Sequence, residues 1–115
     1  MTDLEHLFRA AINKFNERVK ADDKLKEVLR GLTRKVVVEL EEEKRYSFVI
    51  QNSEIINFSS CDLEQPDIQI ISDSETLGKL LNKELSPFKA YATGRVKIKA
   101  SPADLILLRR FLKAE

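Results

Sequence analysis

The 115 residues include one cysteine, one histidine, no tryptophan, three glycines and three prolines. Each shortage removes a class of protein. A lone Cys61 forms no intramolecular disulfide, which fits a reducing compartment rather than a secreted scaffold. The glycines, at positions 31, 78 and 94, stand apart, so there is no glycine-rich phosphate loop. The longest unbroken apolar run is four residues, Leu105 to Leu108, far short of a membrane span. Neither sign of charge is in excess: 20 basic and 19 acidic side chains leave +1. That balance argues against nucleic acid as a partner and supplies no polybasic anchor. The opening Met1-Thr2-Asp3-Leu4-Glu5 has neither the basic start nor the apolar core of a signal peptide, so a cytoplasmic setting is expected.

Catalytic groups are equally scarce. His6 falls on the polar side of a helix, with no second ligand and no nucleophile near it in sequence. Cys61 has no CxxC partner and no adjacent base. The clusters Glu41-Glu42-Glu43 and Asp62, Glu64, Asp67 lack the alternation and glycine of a calcium loop and read as solvated turns. Arg95, Lys97 and Lys99 form a basic stripe, which acidic neighbours on the adjacent strand are expected to neutralise. The sequence therefore predicts no enzyme, no metal and no cofactor.

Periodicity is what the chain has in quantity. Leu4, Leu7, Phe8, Ala11, Ile12, Phe15 and Val19 span an arc of roughly 140°, one face of a helix whose capping box is Thr2 and Glu5. A second helix runs from a cap at Asp22 to a terminator at Gly31. From Thr33 the period becomes two. Val36, Val38 and Leu40 alternate with charged residues and Val37; then Tyr46, Phe48 and Ile50; then, past the Asn52-Ser53 turn, Ile56 and Phe58. Pro66 closes a loop, and Ile68 and Ile70 make a fourth strand. Ser72 with Glu75 signals a helix carrying Leu77, Leu80 and Leu81. Ser86-Pro87 opens another, ended by Gly94. Arg95 to Lys99 alternates as a fifth strand, and Ser101-Pro102 starts a last helix with Leu105, Leu107, Leu108, Phe111 and Leu112 on one face of roughly 160° and Ile106 outside it.

These elements predict one α+β domain over 1–115: a five-stranded mixed, mainly antiparallel sheet with about five helices on one face and the other face largely wet. The apolar faces either close into a solid core or enclose a cavity lined by Phe8, Phe15, Phe48, Phe58, Phe88, Tyr91 and Phe111. Packing alone makes the solid core the default.

The run Pro66-Asp67-Ile68-Gln69-Ile70-Ile71-Ser72-Asp73, followed by Leu77 and Leu80 and then by Leu85-Ser86-Pro87-Phe88-Lys89-Ala90-Tyr91-Ala92-Thr93-Gly94-Arg95-Val96-Lys97-Ile98-Lys99, resembles the sterol carrier protein family. The resemblance covers about 45 residues closely; the remainder agrees in element order. The sequence departs from the family where glycine is frequent: Lys83 or Glu84 stands before the leucine–proline turn, and Ala100 after the lysine-rich strand. The C-terminal peroxisomal address of some members is also missing.

The resemblance implies an apolar tunnel between helices and sheet, and a non-enzymatic carrier of a fatty acid, fatty acyl-CoA, phospholipid or sterol-like molecule. Expected lining residues are Phe8, Phe15, Phe48, Phe58, Phe88, Tyr91, Leu108, Phe111 and Leu112, with Arg95 meeting a polar head. The expected partners are a lipid or acyl ligand and, transiently, a membrane, for either a monomer or a homodimer. The competing expectation is an interaction module with a filled core, docking through Ile106 or the Val37–Val49–Ile71 patch.

Overall fold

The computed structural model describes residues 4–41, 44–61 and 63–106, with only the backbone of 87 and 88. The helix cap foreseen at Thr2 lies outside them. The elements follow in the order α1 (Leu4–Ala21), α2 (Asp23–Leu29), β1 (Arg34–Leu40), β2 (Arg45–Gln51), β3 (Glu54–Ser59), β4 (Ile68–Ser72), α3 (Ser74–Leu81), α4 (Pro87–Ala92) and β5 (Lys97–Lys99). A fifth helical stretch covers 102–106. The strand order is β3-β2-β1-β4-β5. β1 pairs antiparallel with β2 and parallel with β4; β2–β3 and β4–β5 are antiparallel. This is the mixed α+β architecture read from the sequence.

Local chemistry explains the punctuation. The Asp22 carboxylate accepts from the backbone N–H groups of Lys24 and Leu25, capping α2. Asn52 (φ 54°) and Ser53 (φ 62°) both take the left-handed conformation, the requirement of a type I′ hairpin turn between β2 and β3. The start of α3 differs from expectation. Ser72 is the last residue of β4, and its hydroxyl donates to the Arg95 carbonyl at 3.2 Å. The cap is Asp73, which is free to reach back over the first turn.

Two helices end in the same motif with different residues. After α4, Gly94 (φ 79°) donates to the Tyr91 carbonyl and Arg95 to the Ala90 carbonyl, the paired bonds of a Schellman motif. After α3, Lys83 (φ 61°) donates to Leu80 and Glu84 to Lys79 in the identical pattern. Lys83 therefore occupies a left-handed position that favours glycine. Lys83 and Glu84 stand near one of the two places at which the sequence departs from the pattern it resembles.

Expected two-residue alternation breaks in β3. Val49 pairs with Ile56, yet Ser47 pairs with Ser59, so β3 carries one extra residue there, with Asn57 left-handed (φ 56°). The bulge separates Ile56 from Phe58. Ile56 stays beside Val49 on the far face, and Phe58 turns to the helix face to stack on Tyr46. β3 is also an edge strand, and its exposed backbone is partnered from α1. The Asn16 amide accepts from Ile55 N–H at 2.8 Å and donates to Ile55 C=O at 3.1 Å, acting as a one-residue substitute strand.

The far face is less wet than alternation implied. Val37 and Ser47, opposite one another in register, are each only 1% exposed. Longer side chains, among them Lys35, Glu39, Arg45 and Gln69, stand next to this small pair in the register. Val37 is therefore not available to the Val37–Val49–Ile71 docking patch.

The left-handed positions carry a prediction. Lys83→Gly should raise stability by up to about 1 kcal/mol, and Asn57→Val should lower it by about 1–2 kcal/mol. Urea titration checks both; a loss in the first or no loss in the second contradicts the account.

Candidate functional site

The apolar interior is built from the sheet's helix face outward. Val38, Leu40 and Tyr46 from β1 and β2 meet Phe8 of α1 and Leu77 of α3 in one buried cluster. Phe8 lies 5.1 Å from Tyr46 and 5.2 Å from Phe58, ring centre to ring centre, and Tyr46 stacks on Phe58 at 5.8 Å. Arg9 spreads its guanidinium over Phe58 at 5.0 Å while also pairing with Glu5 at 3.4 Å. A second cluster sits at the other end of α1, where Val19, Leu25 and Leu29 pack with Phe15, Leu32 and Ile50. A helix of 18 residues is about 27 Å long, enough for one element to roof both clusters.

The expected lining residues separate on this framework. Phe8 is 6% exposed, and Phe48 and Phe58 are half-buried against the same cluster. Phe15 belongs to the second cluster. Phe88 lies in α4, known from its backbone. Tyr91 is 42% exposed. Leu108, Phe111 and Leu112 lie outside the described residues. Arg95 is exposed, directly after the α4 terminus. Sequence reasoning left out Tyr46, one of the three rings of the aromatic cluster. Its alternation with Phe48 was the available signal, and the bulge that brings Phe58 to it was not.

Cover over the sheet is uneven. In register, Phe48 lies opposite Val36 and Ile70 opposite Val38. All four are on the helix face; the valines are fully buried, whereas Phe48 and Ile70 keep part of their surface, as do Leu4 and Leu81. Mid-strand aromatic and aliphatic side chains under a complete roof would have none to keep. A separate cleft of about 610 Å³ opens between α1, α2 and the β2–β3 turn, but its walls include Asn16, Lys20, Lys26, Glu27, Arg30 and Glu54, and such charged walls do not suit an alkyl chain.

Two electrostatic ties hold the frame. Asp104, at the start of the 102–106 stretch, is 5% exposed and receives the Arg34 Nε–H on both carboxylate oxygens, at 3.0 and 3.1 Å. Arg34 also donates to the Thr33 carbonyl at 2.8 Å. A buried charge with its partner in place is tolerated, and this pair fixes the last described turn to the beginning of β1. Ser101 caps that turn by accepting from Asp104 N–H at 3.1 Å, as its sequence signature suggested. The second tie is Asp73. Its carboxylate accepts from Thr76 N–H at 2.6 Å and from the Thr76 hydroxyl at 3.1 Å. The backbone hydrogen bond is the main cause that holds its pKa below the ordinary value, with help from the hydroxyl, Arg95 and Lys79 and against some desolvation.

Among the described residues no group of three or more histidine, cysteine or acidic side chains is arranged to hold a metal ion. His6 and Cys61 are both exposed. Among the described residues no helix is long and apolar enough to cross a membrane.

Comparison with known proteins fits this geometry. The model of the SCP-2 sterol transfer family matches residues 12–112, and the chain belongs to that family. No curated protein matches it in sequence. Among solved structures, a conserved hypothetical protein from Thermus thermophilus, described as possibly a sterol carrier protein, aligns with a TM-score of 0.63 at 17% identity, over 95% of this chain and 80% of its own. The palmitated sterol carrier protein 2-like 2 of Aedes aegypti aligns at 0.59 and 15%, over 90% and 89%. The stereoselective inverting sec-alkylsulfatase of a Pseudomonas species aligns at 0.56 and 14%, over 76% of this chain. This chain spans only 14% of the sulfatase's length. At these identities the structures share the fold, and the family places the chain among lipid-transfer domains.

The Asp73 cap yields a pH prediction. Because its folded pKa is lowered, its contribution to stability is present above the unfolded value and lost as pH falls through the folded one. Asp73→Ala should cost about 1 kcal/mol at neutral pH, and the gap from the parent should close below about pH 4. Thermal unfolding across that range checks it; a gap that stays constant contradicts it.

Proposed function

We propose that the chain, acting as one domain, is a non-enzymatic carrier holding a long apolar chain between its helices and the sheet. The observation that carries this reading is the uneven roof: Phe48 and Ile70 keep accessible surface at mid-sheet beside fully buried Val36 and Val38. The ligand class is a fatty acid, fatty acyl-CoA, phospholipid or sterol-like molecule. Burial of each methylene contributes about 0.8 kcal/mol, so a long acyl chain supplies its own driving force without a charged clamp. Phe48, Phe58, Ile70 and Leu81 form the wall we assign to the ligand, with Phe8 behind them. An acidic head at the α4 end would meet Arg95. The palmitate carried by the Aedes aegypti relative supports a fatty acyl ligand over a flat sterol.

The chain has no tryptophan, which makes a direct test available. Phe48→Trp places a single indole in the proposed wall. Titration with a long-chain fatty acid should shift its emission to the blue and raise the unfolding temperature. An emission unmoved by fatty acid, acyl-CoA and phospholipid alike, together with no lipid in native mass spectra of gently purified protein, would sink the reading in favour of a filled interaction module.

A further inference from the structure

Beneath α1 the two apolar clusters are separate. Phe8 belongs to the first and Phe15 to the second, and the helix carries Ala11 and Ile12 between them. Helical phase puts both on the apolar arc, Ala11 four residues before Phe15 and Ile12 four after Phe8. Both keep part of their surface, and among the described residues neither joins a cluster. The sheet divides in the same way. Along β2, Phe48 packs with the first cluster, whereas Ile50, the next residue on that face, packs with the second. The two flanks of α1 are also distinct. Asn16 is bonded to Ile55 of β3, whereas Leu4 faces α3, where a Cβ at Gly78 would lie 3.9 Å from its Cδ2. Ala11 follows Leu4 by seven residues and so stands on the α3 flank, away from the β3 edge. The smallest side chain of the apolar arc thus falls between the clusters, on the side of the sheet's interior.

We propose that a single unbranched acyl chain lies along this flank of α1, that Ala11 gives it clearance, and that Phe15, backed by Ile50, is the stop that limits its length. The inference rests on the carrier reading and makes it specific. From Leu4 to Phe15 the helix axis advances about 16 Å, which covers roughly a dozen carbons of an extended chain. A longer chain meets the second cluster end-on. Val19, Leu25 and Leu29 are at most 3% exposed, so the space behind Phe15 is filled. A residue that ends a groove selects by length, because each methylene that fits adds to binding and each that does not fit adds nothing. An ordinary packing role for Ala11 and Phe15 is the alternative, and the experiment separates the two.

Affinity is measured on the full, delipidated chain by displacement of a fluorescent fatty acid, with saturated fatty acids of roughly 8 to 18 carbons as competitors. The parent is compared with Ala11→Leu, Phe15→Ala, Phe15→Leu and Val19→Ala, and the unfolding temperature of each ligand-free protein is recorded. The parent's affinity should rise about fourfold per added methylene until the chain reaches the stop, and then level. Phe15→Ala should carry the plateau about four carbons further, and the milder Phe15→Leu about two. Val19→Ala removes volume from the same cluster behind the stop, so it should lower the unfolding temperature and leave the plateau in place. Ala11→Leu should hold or raise the unfolding temperature, because its added carbons enter open space, and should weaken binding at every length by roughly 30-fold. A plateau unmoved in Phe15→Leu, or moved as far by Val19→Ala, overturns the stop; the leucine variant decides where Phe15→Ala does not fold. Parental affinity in Ala11→Leu overturns the clearance. Either result, with uptake by the parent intact, leaves the carrier reading standing. No uptake by the parent at any length removes that reading, and an Ala11→Leu protein that then unfolds at lower temperature shows the space to be packed.

Discussion

Everything in this structure is referred to β1, the strand at the centre of the sheet. Its backbone is bonded on one side to β2 and on the other to β4, and three consecutive valines, Val36, Val37 and Val38, are buried on it. A strand buried on both faces must have neighbours that satisfy every peptide group, and the two ladders supply them. Because β4 runs parallel to β1, both strands leave the sheet at the same end, where Glu41 N–H bonds to the Ser72 carbonyl. α3 therefore begins above that end and packs against α1, which roofs the sheet. The other end of β1 is fixed by Arg34 and its buried partner Asp104.

Uneven cover over this sheet is the feature on which the proposed carrier reading rests. A solid core maximises contacts; a ligand site gives some of them up and recovers the loss when the ligand enters. The burial pattern concentrates complete packing on β1 and at the two ends of α1, and leaves the flanking mid-strand residues of β2 and β4 partly uncovered. Capping, ion pairing and the aromatic contacts of Phe8, Tyr46 and Phe58 hold the frame around them. Charge is arranged with comparable economy. Glu39 and Arg45 pair across β1 and β2, whereas the lysines of β5 are left to solvent or to whatever surface meets them.

Much of the architecture was readable from spacing. Helix faces in α1 and α2, the I′ turn at Asn52-Ser53 and the Ser86-Pro87 and Ser101-Pro102 helix starts rest on interactions within a few residues, which sequence reports directly. The misreadings share a cause: each depended on a partner distant in the chain. Ser72 had the right chemistry for a cap but is engaged by the Arg95 carbonyl, which leaves the task to Asp73. Phe58 and Ile56 alternate in sequence but not in space, because Asn57 inserts a bulge. The basic stripe was assigned acidic neighbours; Asp73 interacts with Arg95, while the β4–β5 register sets Ile71 and Gln69 against Lys97 and Lys99.

By itself the sequence determined the element order, the α+β class and the scarcity of catalytic groups, because these follow from local periodicity, caps and composition; the family came from resemblance to known members. Only the tertiary structure decided which residues share a space. Strand register, one bulged residue and the packing of α1 selected Tyr46 for the aromatic cluster, left Phe48 and Ile70 incompletely covered, and set Lys97 and Lys99 against Ile71 and Gln69. The physical reason is that a one-residue shift in pairing moves a side chain to the opposite face of a sheet, and the chain settles that shift through contacts tens of residues apart.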